Sequence, residues 1–233
     1  MNQTIYPIGI QNFESLRKDG YLYIDKTALI YQLANTGRYY FLSRPRRFGK
    51  SLLVSTLEAY FQGKKELFKG LAMESLEKDW TVYPVLHIDF SLTKYMELTD
   101  LTGQLNLFLH RWEKIYGKDE AEKTASERLQ GIILRASEQI GKQVVVLIDE
   151  YDAPLLDSNS DALLQQQLRN EMRKFFSPLK GLGQYLRFLF ITGISKFSQL
   201  SIFSELNNLQ NISMRDDFSL SLIHISEPTR HAQ

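Results

Sequence analysis

About a hundred residues separate the two segments that most restrict how this chain can fold. The first reads Tyr40-Phe41-Leu42-Ser43-Arg44-Pro45-Arg46-Arg47-Phe48-Gly49-Lys50-Ser51, a short aromatic and apolar stretch opening into a basic loop. The second reads Val144-Val145-Val146-Leu147-Ile148-Asp149-Glu150, an unbroken apolar run that ends on two acids. An apolar run without polar alternation predicts a strand covered on both faces, as in the parallel sheet of an α/β protein. Behind the basic loop, Leu53, Leu57 and Phe61 recur at four-residue spacing, so the first segment predicts a strand, a tight loop and an amphipathic helix.

The remaining chain continues the alternation. Residues 21–24 read as extended, and Asp25-Lys26-Thr27 offers side-chain oxygens to cap a helix that runs to about Asn35, with Gly37 beyond it. Strands are predicted over 39–42, 85–90, 144–148 and 187–192, and helices over 50–62, 101–116, 125–140 and 161–176. Residues 80–84 and 155–162 are expected to be surface connections. The pattern predicts an α/β three-layer sandwich with a mainly parallel sheet, formed by one domain over residues 1–219. Residues 220–233 continue no pattern. Leu222-Ile223-His224-Ile225-Ser226-Glu227-Pro228-Thr229-Arg230 resembles translated sequencing-adapter read-through, so this stretch is expected to be a non-native or disordered tail, and His224 and His231 receive no role.

Composition excludes several classes. With 28 basic against 27 acidic residues, no polyanionic partner is demanded by charge. The absence of cysteine removes disulfides, thiolate metal sites and thiol nucleophiles. No apolar run approaches the roughly 20 residues that span a bilayer, and the N-terminus lacks the regions of a secretory signal. A cytoplasmic location away from membranes is therefore expected.

The chemistry lies in the two segments. Consecutive backbone N–H groups and a helix N-terminus make a phosphate site, whose usual spacing is glycine, four residues, then Gly-Lys-Ser/Thr. Gly49-Lys50-Ser51 is present, while Arg44 stands where the first glycine would be. A strand that delivers an acid at its C-terminal edge puts it at the mouth of the sheet, where ligands of open α/β sheets sit. The expected ligands are ATP and Mg²⁺. Arg46, Arg47, Phe48, Gly49, Lys50, Ser51 and Leu52 would contact the nucleotide, with Lys50 on the phosphates. Ser51 and Asp149 would hold the metal, and Glu150 would orient and deprotonate the attacking water. At the end of the fourth strand Thr192, then Lys196, are candidates to sense the γ-phosphate. Asp152 is expected to cap a helix and His87 to sit in the core. His110 has no companion ligands for a metal. Arg44, Arg46 and Arg47 form a basic cluster that could line the triphosphate, reach a neighbouring subunit on self-association, or contact nucleic acid. Two rivals to an ATPase therefore stand: a nucleotide switch that does not hydrolyse, and a nucleic-acid-binding module built on that cluster.

Several stretches closely resemble the AAA-ATPase-like family of bacterial and archaeal proteins. They are Pro7-Ile8-Gly9-Ile10-Gln11-Asn12-Phe13, Gly20-Tyr21-Leu22-Tyr23-Ile24-Asp25-Lys26-Thr27 and the basic loop with its strand. His87-Ile88-Asp89-Phe90-Ser91, Ile148-Asp149-Glu150-Tyr151-Asp152-Ala153-Pro154-Leu155, Thr192-Gly193-Ile194-Ser195-Lys196-Phe197-Ser198 and Ser201-Ile202-Phe203-Ser204-Glu205-Leu206-Asn207-Asn208-Leu209 complete the match. Arg44 in place of glycine is part of that family's own pattern. The resemblance implies a P-loop ATPase core of the subgroup with an extra catalytic acid, in a protein of unestablished biological role. Longer members often continue into a domain similar to PD-(D/E)XK nucleases. On this resemblance the chain is expected to be truncated near Phe218, without its helical C-terminal lid, and nucleic acid would be a partner only through a C-terminal domain expected to be missing here.

Overall fold

The computed structural model describes residues 6, 7, 9–195, 202, 203, 206 and 208–213. Its centre is a sheet of parallel strands: β1 (Tyr39–Ser43), β2 (Val85–Asp89), β3 (Val144–Asp149), β4 (Leu186–Gly193) and β5 (Gln210–Asn211). Their spatial order is β2-β3-β4-β1-β5, and every pairing is parallel. The helices are α1 (Phe13–Lys18), α2 (Thr27–Thr36), α3 (Lys50–Phe61), α4 (Ala72–Leu76), α5 (Leu98–Tyr116), α6 (Ala125–Ile140), α7 (Ala153–Asp157) and α8 (Ala162–Phe176).

Because successive strand residues point to opposite faces, the sheet divides the core in two. Leu86, Ile88, Val146, Ile148, Leu189 and Ile191 pack with Leu105 and Leu109 of α5, Ile132 of α6 and Met172 of α8. Their neighbours Leu42, Val145, Leu147 and Phe190 pack on the other side with Phe13, Ile30, Leu33, Leu53 and Leu57 from α1, α2 and α3. Three layers result, as the unbroken apolar strands predict.

Local chemistry sets the helix ends. The Thr124 side chain accepts from Glu127 N–H while the Glu127 carboxylate accepts from Thr124 N–H, and Gly141 at φ 67° stops α6. Asp25 Oδ1 accepts from both the N–H and the hydroxyl of Thr27, which opens α2.

The structure departs from the sequence expectation at short elements. β5 is two exposed polar residues, with no apolar run to announce it. Residues 155–162 are more than a surface connection: α7 runs into them with Pro154 in its first turn, and Leu155 and Ser158 are buried. Among the described residues no helix is long and apolar enough to cross a membrane. The Lys196 candidate and the 220–233 stretch lie outside the described residues.

Candidate functional site

β1 delivers the chain to the C-terminal edge of the sheet, where the basic loop begins. Arg44 does not join the arginine cluster. Its N–H donates to Gly193 O at 3.1 Å, and its guanidinium donates to Ser213 O, so it ties the loop to β4 on one side and to the segment after β5 on the other. Arg46 and Arg47 remain exposed. Arg47 and Gly49 both take left-handed backbone, at φ 67° and 68°, and so α3 starts at Lys50 with its N-terminus at the loop. Such φ suits glycine and is uncommon for a residue with a Cβ.

Lys50 is only 4% exposed. Its Nζ donates to Arg44 O and Pro45 O, each at 3.1 Å, and lies 3.0 Å from Glu150 Oε1. An ammonium has three N–H bonds, so every donor of Lys50 is engaged. Glu150 reaches it because the turn after β3 also takes left-handed backbone, φ 50°, which swings the carboxylate back over the sheet edge. Burial pushes the Glu150 carboxyl above its usual range, and the Lys50 charge only partly opposes this.

β4 stands between β1 and β3 and contributes Thr192, which is fully buried. The Thr192 hydroxyl donates to Asp149 Oδ1 and accepts from Glu150 N–H at 3.2 Å, while Asp149 Oδ1 accepts the same N–H at 3.1 Å. Thr192 is thus committed to the acids beside it. No described residue bonds Asp149 Oδ2 or the Ser51 hydroxyl.

A cavity of about 910 Å³ opens over this edge, lined by every residue from Arg46 to Leu52 and by Glu150. Asp149 and Thr192 lie beneath it and do not line it. Its other walls went unassigned in the sequence: Gly9, Ile10 and Gln11 before α1, and Ser91, Thr93, Lys94 and Asp157 beyond β2 and in α7. The first group falls in a stretch already conspicuous by resemblance, although no chemistry marked it. The second rests on a contact across more than sixty residues of chain, Lys94 Nζ to Asp157 Oδ1 at 3.0 Å, which no local pattern signals.

Two other expectations change. Asp152 occupies the N-cap position of α7, but its side chain makes no capping bond. Instead the buried carboxylate accepts from Ile194 N–H and Ser195 N–H at 3.0 and 2.6 Å, and the Tyr151 hydroxyl donates to Ser195 O. Burial raises the Asp152 carboxyl above its usual range, against those backbone donors. His87 is no apolar core histidine: Nδ1 lies 2.9 Å from Glu58 Oε2 of α3, while Nε2 is buried without a partner.

Comparison with known proteins follows the same outline. The AAA-ATPase-like family, described as Predicted AAA-ATPase, matches residues 7–203. An uncharacterized protein in the vnfD 5′ region of Azotobacter chroococcum mcd 1 is 39% identical over 221 residues, which cover 94% of this chain and 43% of that protein. The chain thus spans less than half the length of that relative. No solved structure matches it.

Proposed function

We propose that this chain, which belongs to the predicted AAA-ATPase family, binds ATP with Mg²⁺ and hydrolyses the terminal phosphate. One observation carries the reading: Lys50 Nζ and Glu150 Oε1, from segments far apart in sequence, meet at 3.0 Å on the wall of one cavity. An amine and a carboxylate so placed can divide the two tasks of phosphoryl transfer, charge stabilisation and water activation.

In this reading the N–H groups at the start of α3 and the exposed Arg46 and Arg47 face the phosphates, with Phe48, Gly49 and Leu52 shaping the wall. Lys50 moves one donor from Glu150 to a phosphate oxygen, since its carbonyl partners belong to the loop itself. The Glu150 carboxylate released by that exchange orients water and takes its proton, and its raised pKa makes it a stronger base. Thr192 acts through the acids it bonds, holding Asp149 by Oδ1 and leaving Oδ2 for the metal.

The oxygen donors fit a magnesium ion, because Ser51 Oγ and Asp149 Oδ2 are both without a described partner and hard cations prefer such ligands. Ser51 and Asp149 would hold it, and when bound it neutralises charge on the phosphates.

Glu150→Gln is the decisive variant. It should bind MgATP by calorimetry as the wild type does, while phosphate release falls by about 10²- to 10⁴-fold. Binding without hydrolysis in the wild type would make the protein a nucleotide switch. An unchanged rate in Glu150→Gln would remove the base.

A further inference from the structure

The cavity is longer than its phosphate end, and the wall formed by Gly9, Ile10 and Gln11 has an unusual construction. Its C-terminal end is tied to α3. Ser55 of α3 accepts Phe13 N–H at 2.9 Å, its one hydroxyl proton is shared between Gln11 O at 3.1 Å and Leu52 O at 3.0 Å, and Phe13 is fully buried against Tyr23 and Phe68. Asn12 is occupied as the cap of α1, accepting Ser15 N–H. The Gln11 side chain, by contrast, is exposed on the cavity wall, and its amide bonds no described residue. An amide with no described partner, two residues before the buried Phe13, is available to hydrogen-bond a ligand in the cavity. Its place relative to the loop follows from helix geometry. Ser51 and Ser55 are one turn apart on α3, so the anchor of this wall lies about 6 Å along the helix from the metal-binding serine of the proposed site. Exposed Phe48 and half-buried Ile10 and Leu52 supply apolar surface to the same cavity.

We propose that Gln11 is the residue that selects the nucleobase, and that it selects adenine over guanine. The inference rests on the reading of this cavity as a triphosphate site. A carboxamide offers one donor and one acceptor side by side, which matches the N7 acceptor and N6 amino donor of adenine. Guanine presents two acceptors, N7 and O6, on the same edge, so the amide oxygen would face a lone pair.

The test is calorimetry with MgATP, MgGTP and magnesium tripolyphosphate on the full chain. Wild type should prefer ATP to GTP and to tripolyphosphate. Gln11→Ala should weaken ATP by about tenfold or more and bring the ATP-to-GTP ratio towards unity, with tripolyphosphate unchanged. Gln11→Arg, whose guanidinium donates twice, should move the preference towards GTP, judged against its own tripolyphosphate affinity. Since Gln11 is exposed, neither variant threatens the fold. An ATP-to-GTP ratio unaltered by Gln11→Ala, or wild-type protein that binds tripolyphosphate as tightly as ATP, overturns the base subsite and leaves the triphosphate site standing. Wild-type protein that binds none of the three overturns both.

Discussion

The hydroxyl of Thr192 on β4 donates to Asp149 Oδ1 at the end of β3, and both residues are almost wholly closed to solvent. The same oxygen accepts Glu150 N–H, so one threonine secures both acids of the turn. The strand order makes this possible, because β4 lies between the strand that feeds the loop and the strand that carries the acids. The acids are therefore set by bonds between adjacent strands before any ligand is bound, which lowers the reorganisation needed during reaction.

Thr192→Val keeps the shape of the side chain and removes the hydroxyl. Asp149 Oδ1 then keeps Glu150 N–H but loses its hydroxyl donor, and the expected loss of stability is about 1–3 kcal/mol. Thr192→Ser should retain most of the wild-type value. Urea unfolding of the three proteins decides it: a Val variant as stable as wild type would mean that the clasp contributes nothing.

The parts of this architecture legible in the sequence are those written in local pattern. β3 is visible because Val144 to Ile148 is apolar throughout, and α6 because its Thr124/Glu127 cap and Gly141 stop are adjacent in the chain. Lys50 is legible as the residue that opens a helix after the basic loop and Glu150 as the residue that follows a strand, although their contact is not. What escaped depends on distant partners. Asp152 looks like a cap because it precedes Ala153-Pro154, yet its donors lie forty residues on, at Ile194 and Ser195. β5 has no hydrophobic signature because its role is backbone pairing with β1 at Tyr40 and Phe41. The Gln11 wall is held beside α3 by Phe13 N–H bonding Ser55, a serine with no pattern of its own.

The His87–Glu58 pair between β2 and α3 should give stability a pH dependence. Burial opposes charging of the imidazole, but the Glu58 hydrogen bond and charge, with Asp149 and Asp89 nearby, outweigh it and raise its pKa. A raised folded-state value means that the contribution is fully present below the unfolded value of about 6.5 and is lost as pH climbs through the folded one. Melting temperature measured from pH 6 upward should fall in the wild type, and His87→Gln should flatten that slope. Parallel slopes would show that the pair does not govern it.

Asp152→Ala should loosen the chain where it leaves β4. Two part-buried N–H groups, Ile194 and Ser195, lose their charged acceptor, at a cost of about 1–2 kcal/mol, below that of a fully buried unsatisfied group. Amide hydrogen exchange at those two positions is the direct reading. Protection should drop there while the amides in the middle of β4, bonded to β1 and β3, keep theirs. Equal protection in both proteins would assign the anchoring to Tyr151 and its bond to Ser195 O.

Lys50 and Glu150 should be coupled in the protein without nucleotide. Their side chains are 3% and 17% exposed, so the pair is largely withdrawn from water. Removing one partner of a fully buried pair costs about 3–5 kcal/mol, chiefly because the remaining charge stays uncompensated. The residual access of Glu150 to solvent lowers the expectation for Lys50→Ala to about 2 kcal/mol. Adding Glu150→Gln to that background deletes the stranded charge, and should restore about 1 kcal/mol instead of adding a second loss. The same charge balance opposes, without cancelling, the rise that burial imposes on the Glu150 carboxyl. Denaturant unfolding of wild type, both single variants and the double variant measures the coupling. Strict additivity would mean that the contact at 3.0 Å stores no interaction energy for a phosphate to displace.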